Sequence, residues 1–360
     1  MSAPTLTVDV TAPECTARGS DYAVLARRVR EAGLLDRRYP YYAWKSAVVA
    51  AAWVAGWALL IAGGDSWWQL TTAAFLAAVF AQCAFLGHDA GHRQIFATRR
   101  ANYLYGLIFG NLGIGVSVGW WTANHNRHHA HPNTDDGDPD AMGVLAFSTE
   151  RARTDRTWRR FIMRYQAWLF FPLLLLEGGS LHAASARAVV NWPIRHRMWE
   201  GLLLATHLAG LVAVAFVALS PLKAVVFLAL QQGLFGLYMG CTFAPNHKGM
   251  AVFSARDQVD FLRRQVLTSR NVTGGPLIDA AMGGLNYQIE HHLFPTMPRP
   301  NLRRAQPLVA GYCAELGVSY CEAGVIASYS DALRHLHEVG RPLREGDSSP
   351  STTSDSAGWR

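Results

Sequence analysis

The sequence predicts an all-α integral membrane protein: four transmembrane helices in two hairpins, further interfacial helices, and a cytoplasmic helical cap. Three observations lead there. Half of the 360 residues are hydrophobic and only 16% are charged, against ~25% in an average soluble domain. Four apolar stretches stand in two close pairs, 47–63 with 67–87 and 198–219 with 222–244. Nine of the fourteen histidines fall in clusters that each begin shortly after an apolar segment.

Residues 1–45 read as a cytoplasmic N-terminal arm, disordered over 1–20 and rich in arginine beyond it. No basic run leads into an apolar core there, so no cleavable signal peptide is expected. Each apolar stretch approaches the ~20 residues that cross ~30 Å of hydrocarbon. "GGDS" and "SP" leave room only for a tight turn between partners, which makes each pair a hairpin. Two further apolar stretches are interrupted. Residues 103–121 carry five glycines, and 161–181 contain Arg164, Pro172 and Glu177. Both read as helices lying in the interface or partly buried. The membrane domain is bounded at 46–335, and the serine-rich segment 341–360 reads as a disordered tail.

Arginine sets the orientation. The two hairpin turns carry only Lys223 at an edge, whereas the arm, residues 93–100, "RARTDRTWRR" and the C-terminal part are arginine-rich. Both termini and all histidine clusters are therefore expected on the cytoplasmic side. "NVT" at Asn271 matches a glycosylation acceptor that a cytoplasmic location would leave unused. The net charge of +7 fits lipid headgroups, since no basic run interleaved with aromatics points to nucleic acid. Cys15, Cys83, Cys241, Cys313 and Cys321 show no metal-ligand spacing and read as reduced packing residues.

The histidine clusters carry the chemistry. "GHDAGH" places His88 and His92 one helical turn apart on one face. "HNRHH" gives His125, His128 and His129 at i, i+3 and i+4, and "QIEHH" repeats that spacing with Gln288 ahead of His291 and His292. His247 stands in "APNHKG" at the end of the fourth span. A lone interfacial histidine is ordinarily just a polar residue. Clusters at helical spacing on one membrane face point to a shared metal site, because neutral imidazole suits iron, copper and zinc. About eight histidines exceed the ligands of one ion, so two ions are the natural count. No HExxH favours a zinc protease, and the paired Glu-x-x-His motifs of soluble carboxylate-bridged sites are absent. An all-nitrogen site beside lipid suits dioxygen activation. His182, His196, His207, His335 and His337 lack the pattern and read as structural, with His207 inside the third span and in need of a polar partner.

"GHDAGH", "HNRHH" and "QIEHHLFP" resemble the three histidine boxes of membrane fatty-acid desaturases. "RNVTGG" followed by "GGLNYQIEHHLFPTMPRPNL" extends the likeness to the branch whose third box begins with glutamine, which includes front-end and linoleoyl-CoA-desaturase-like enzymes. The resemblance spans residues 40–335. It implies two non-haem iron ions, O2 as co-substrate and removal of two hydrogens from an acyl chain. The implied ligands are His88, His92, His125, His128, His129, His247, His291 and His292. Gln288, which stands where related enzymes have a histidine, is either a weak carbonyl ligand or a hydrogen-bonding neighbour. Asp89, His131, Asp135 and Glu290 are candidates to orient the ligands, with Asp136, Asp138 and Asp140 of "NTDDGDPD" as further choices. Trp120 and Trp121 are expected to anchor the interface or shape the substrate tunnel. Many relatives carry a fused cytochrome b5 domain with an HPGG motif; none occurs here, so electrons are expected from a separate ferredoxin, flavin reductase or cytochrome b5. No GxGxxG suggests nicotinamide binding. The acyl carrier, whether phospholipid, coenzyme A or carrier protein, stays open. So do a hydroxylase, ketolase or acetylenase on the same scaffold and a non-enzymatic membrane sensor.

Overall fold

The computed structural model describes residues 20–135, 137–139, 143–254 and 256–345. Its helices are α1 (Asp21–Glu31), α2 (Tyr39–Ala62), α3 (Gln69–Gly91), α4 (Arg99–Gly106), a π-helical turn (Leu107–Leu112), α5 (Val118–Ala130), α6 (Thr149–Thr154), α7 (Arg159–Arg164), α8 (Gln166–Leu174), α9 (Glu177–Asn191), α10 (Arg197–Ala218), α11 (Pro221–His247), α12 (Phe261–Leu267), α13 (Gly275–Ala281), α14 (Gln288–Leu293), α15 (Arg299–Glu315) and α16 (Val325–Glu345). Among the described residues the protein is all-α apart from a pair of three-residue parallel strands, β1 (Asn271–Thr273) and β2 (Glu322–Gly324).

Helices α2, α3, α10 and α11 are each long and apolar enough to cross a membrane. Pro40 and Pro221 start α2 and α11, where a missing N–H costs nothing. The two hairpin turns are tied together: Asp65 accepts from the backbone N–H of Ser220 at 2.9 Å and pairs with Lys223 at 3.1 Å. The far ends of α3 and α11, which carry His88 and His247, therefore stand side by side on the opposite face. Phe80, Phe227 and Phe235 fill the core between these spans.

The interrupted stretches become broken elements. Residues 103–121 form α4, the π-helical turn and the start of α5. The break is stitched by buried polar groups: Asn111 accepts from Val118 N–H at 3.0 Å and donates to the Glu200 carbonyl at 3.2 Å. The Glu200 carboxylate accepts from Ser117 Oγ and from Gly119 N–H at the start of α5, a position where the helix dipole favours an anion. Residues 161–181 become α7, α8 and the start of α9. Helices α8 and α9 together are apolar enough to count as a fifth crossing, but they meet at a 70° bend. Two glycines let this elbow press into α11. A Cβ on Gly236 would sit 2.6 Å from the Gly178 nitrogen and the Leu174 oxygen.

The remaining elements build the cap. Residues 20–38 are not a separate arm: Leu25 and Val29 of α1 are fully buried against Leu262, Val266, Ile289 and Leu293, and Tyr22 donates to the Leu293 carbonyl. The first membrane helix starts at Tyr39, not near 46, because the aromatic segment before Ala47 continues the helix. At the other end α16 extends to Glu345, so 341–345 are helical. Residues 1–19 and 346–360, expected to be disordered, lie outside the described residues.

Replacing Gly236 with leucine should force α9 off α11 and lower stability by ~1–3 kcal/mol or more. Gly179→Leu should be tolerated, since a Cβ there meets nothing within 4 Å. The melting temperatures of the two purified variants provide the comparison.

Candidate metal centre

Four elements deliver the histidines. His88 sits in the last turn of α3 and His92 caps it; α5 carries His125, His128 and His129; His247 ends α11; α14 carries His291 and His292. Helix α14 has only six residues, too few to hold itself. It is fixed by the buried side chains of Ile289 and Leu293 and by Glu290. Glu290 accepts from Asn271 Nδ2 at 2.8 Å and from Tyr320 Oη at 2.6 Å. Asn271, buried and bonded in this way, offers no free amide to a glycosylation enzyme. Burial pushes the Glu290 carboxyl up to about 7 against the pull of those two donors.

The chains converge into two groups. His88, His92, His125 and His291 form one, and His128, His247 and His292 the other; in each, one ring nitrogen per residue lies within 4.8 Å of all the rest. His129 stands between them and belongs to neither. Its ring stacks on His292 at 4.2 Å, and its Nε2 is 3.1 Å from His125 Nε2.

The hydrogen bonds dictate the tautomers of the second group. His128 Nδ1 faces both oxygens of Asp138 at 2.9 and 3.0 Å. His247 Nδ1 faces the Thr268 carbonyl, and His292 Nδ1 the Gln265 Oε1, each at 2.9 Å. All these partners are acceptors, so each Nδ1 carries the proton and each Nε2 is a bare lone pair. The lone pairs of His128 and His247 then face each other at 3.3 Å. No hydrogen bond can form between them. A shared cation removes the repulsion, and nitrogens ~2.1 Å from one ion at adjacent ligand positions sit ~3.0–3.4 Å apart.

In the first group, His88 Nδ1 faces Asp89 Oδ1 at 3.3 Å. The Nε2 atoms of His88 and His92 and both ring nitrogens of His291 are buried without hydrogen-bond partners among the described residues. Burial, and then mutual repulsion, hold the imidazoles of His92, His125, His291 and His292 well below their ordinary pKa. They are neutral, the form that binds metal. Orphaned lone pairs, neutral rings and anionic or carbonyl backing together fit a pair of metal ions.

Gln288 lies beside the second group, fully buried. Its Nε2 is 2.9 Å from His247 Nε2, and its Oε1 accepts from Asn246 Nδ2 at 3.2 Å. As placed, the amide donates to the lone pair that a metal would use. Rotating the amide would present its oxygen to the ion instead.

The orienting residues differ from the sequence reading in part. Asp89 does meet His88. Asp138, not Asp135, backs His128: the tight turn at Asn133, whose N–H binds Asp138 Oδ2 at 2.9 Å, folds that carboxylate under the helix. Among the described residues, one oxygen of Asp135 is buried without a partner and no histidine bonds to it. His131 is exposed at the end of α5. Glu290 braces α14 without touching an imidazole. Asp136 and Asp140 lie outside the described residues. Gln265 and the Thr268 carbonyl carry no sequence signal of this role; they lie on and just after α12, far from any histidine in sequence. Of the histidines set aside, His182, His207 and His335 each bond a backbone carbonyl, of Gly115, Leu112 and Phe147. His196 lies against the Tyr103 ring and His337 against Trp168.

A cavity of about 430 Å³ reaches both groups, touching His88, His125, His128, His247 and Gln288. From there Phe243, Gly240, Met239 and Phe235 line it along α11, with Leu181, Ile114 and Val116 opposite. Phe235 to His247 spans ~18 Å of helix. Trp121 lines the same space and stacks on His125 at 4.4 Å, which places it in the cavity wall.

The sequence family model described as fatty acid desaturase matches residues 65–324. The chain belongs to the fatty acid desaturase family. It is 33% identical over 317 residues to the acyl-lipid (9-3)-desaturase of Physcomitrium patens, covering 85% of this chain and 60% of that protein. It is 29% identical over 336 residues to the Delta(6)-fatty-acid desaturase fat-3 of Caenorhabditis elegans, covering 89% and 75%. It is 28% identical over 324 residues to Delta(8)-fatty-acid desaturase 2 of Arabidopsis thaliana, covering 83% and 70%. The chain thus spans about three-fifths of the length of the moss relative.

If Asp138 and Gln265 orient His128 and His292, then Asp138→Ala and Gln265→Leu should each weaken metal binding 10–100-fold. His131→Ala and Asp135→Ala should leave it unchanged. Competition against a calibrated chelator reads the difference.

Proposed function

We propose that this protein is a membrane-bound, O2-dependent di-iron desaturase that introduces a double bond into a fatty acyl chain. The observation that carries this reading is the junction of an apolar cavity with two groups of converging, neutral imidazoles. His88, His92, His125 and His291 hold one iron, and His128, His247 and His292 the other. His129, between them, would supply the eighth imidazole, and Gln288, its amide rotated to present Oε1, would complete the second group. Bound iron supplies the redox chemistry: dioxygen takes two electrons from the acyl chain and two from a donor, and with protons leaves as two waters.

The chain's own residues do the rest. Phe235, Met239 and Phe243 hold the acyl chain along α11, which fixes the carbons beside the imidazoles. Trp121, stacked on His125, and the surrounding apolar wall keep bulk water out. Asp138, Gln265 and the Thr268 carbonyl hold protons at Nδ1, so that each Nε2 faces the ions. The arginine-rich face is cytoplasmic, as are both termini and the metal centre. There a separate ferredoxin, flavin reductase or cytochrome b5 delivers electrons. The substrate is an acyl group on a phospholipid, coenzyme A or carrier protein. The relatives' names, Delta(6)-fatty-acid, Delta(8)-fatty-acid and acyl-lipid (9-3)-desaturase, support a fatty acyl chain as the substrate.

Expression in a host with a simple fatty-acid profile, with donor proteins supplied, should yield new monoene or diene products whose double bonds mass spectrometry locates. A product bearing oxygen from O2 would make the protein a hydroxylase instead. An unchanged profile with two irons bound would sink the acyl-chain assignment. Met239→Trp should fill the cavity and cut product at least 10-fold while the protein keeps its metal content.

A further inference from the structure

Arg299 opens α15, seven residues after His292, and is almost fully buried. Its Nη2 lies 2.7 Å from Asp89 Oδ2 and donates to the Phe85 carbonyl at 2.7 Å. Its backbone N–H reaches the Tyr42 hydroxyl at 3.2 Å, and that hydroxyl lies 3.1 Å from Asp89 Oδ2. One oxygen of Asp89 is thus held by two groups from outside its helix. The other faces His88 Nδ1.

Two physical arguments make this arrangement a placing device. Adjacent residues on a helix do not face each other, so Asp89 meets His88 only if something draws its carboxylate round. Arg299 and Tyr42 do so by occupying Oδ2. Second, a buried arginine–carboxylate pair adds little net stability, because both ions give up their water. The space for Arg299 is also built in. Gly284 has φ +76°, and a Cβ there would lie 2.6 Å from Arg299 Cγ. The Phe85 ring flanks the guanidinium at 5.8 Å.

We propose that Arg299 is a positioning residue for the first metal ion. It fixes Asp89 so that Asp89 accepts the Nδ1 proton of His88, which leaves the His88 Nε2 lone pair on the ion. The segment that follows the third histidine box thereby sets the geometry of the first box. This rests on the two-ion reading above.

The test loads purified protein with cobalt(II) and needs no turnover. Bound cobalt per chain and the visible ligand-field spectrum are the readouts. The wild type should bind two ions. Arg299→Met should bind one of them 10–100-fold more weakly and lose one component of the spectrum, leaving the other unchanged. Arg299→Lys, which keeps the charge but not the fork, should fall between. Asp89→Asn should match Arg299→Met, and the double variant should be no worse than either single one. A purely structural Arg299 would lower the melting temperature and leave cobalt affinity and spectrum alone; that result overturns the proposal. If Arg299→Met does not fold, Asp89→Asn and Arg299→Lys form the cycle, and additive losses overturn it. A wild type that binds no cobalt overturns the two-ion reading and the role of Arg299 with it. Two ions bound with the same affinities and spectrum in wild type and Arg299→Met overturn the role of Arg299 alone.

Discussion

The lone pairs of His128 and His247 face each other across 3.3 Å, and the rest of the structure is arranged to keep them there. Imidazoles buried this deeply are neutral, and neutral imidazole offers one lone pair whose position depends on where the proton sits. A carboxylate, a backbone carbonyl and a side-chain amide hold the protons of the second group on the outer nitrogens. Asp89 does the same for His88 in the first. A bound cation would relieve the repulsion that results on the inside. Metal binding and the folding of the cap would then be one problem, since the energy that binds metal also offsets the cost of gathering the rings.

That constraint explains the division of labour between membrane and cap. The spans contribute His88 and His247 from helix ends that the Asp65–Ser220 tie holds side by side. The remaining histidines sit on short elements that cannot hold themselves. Helix α5 depends on the carboxylate of Glu200, which belongs to α10. Helix α14 depends on α1, α12 and the contacts of Glu290. Each histidine-bearing segment is thus braced by a residue remote in sequence, and damage to a brace reaches the imidazole cluster without touching a histidine.

The cavity follows from the same packing. The bend between α8 and α9 presses against α11 through Gly178 and Gly236, while the π-helical turn, with Gly110 in the wall, faces it across the cavity. The apolar passage that remains ends at the imidazoles. Broken helices at membrane depth are tolerated here because their freed polar groups find partners within the protein, as Asn111 does with Val118 and Glu200.

The four spans, their pairing into hairpins and the eight histidines that converge were legible in the sequence. Each is written in local order: long apolar runs, tight turns, and spacings of three or four residues that a helix turns into one face. Gln288 was legible too, as an amide where a third imidazole might stand. What backs the histidines was not. Asp138 was one of four similar acids, and only the turn at Asn133 separated it from Asp135. Gln265, the Thr268 carbonyl and Arg299 carry no signal of their role, because they meet His292, His247 and Asp89 across elements that only the folded cap brings together. The α1 helix read as an arm for the same reason: Leu25 and Val29 are a weak apolar stripe until α12 and α14 cover them. The sequence by itself determined which imidazoles gather. Tertiary structure decided which nitrogen of each ring holds the proton, because a hydrogen-bond partner distant in the chain sets that choice.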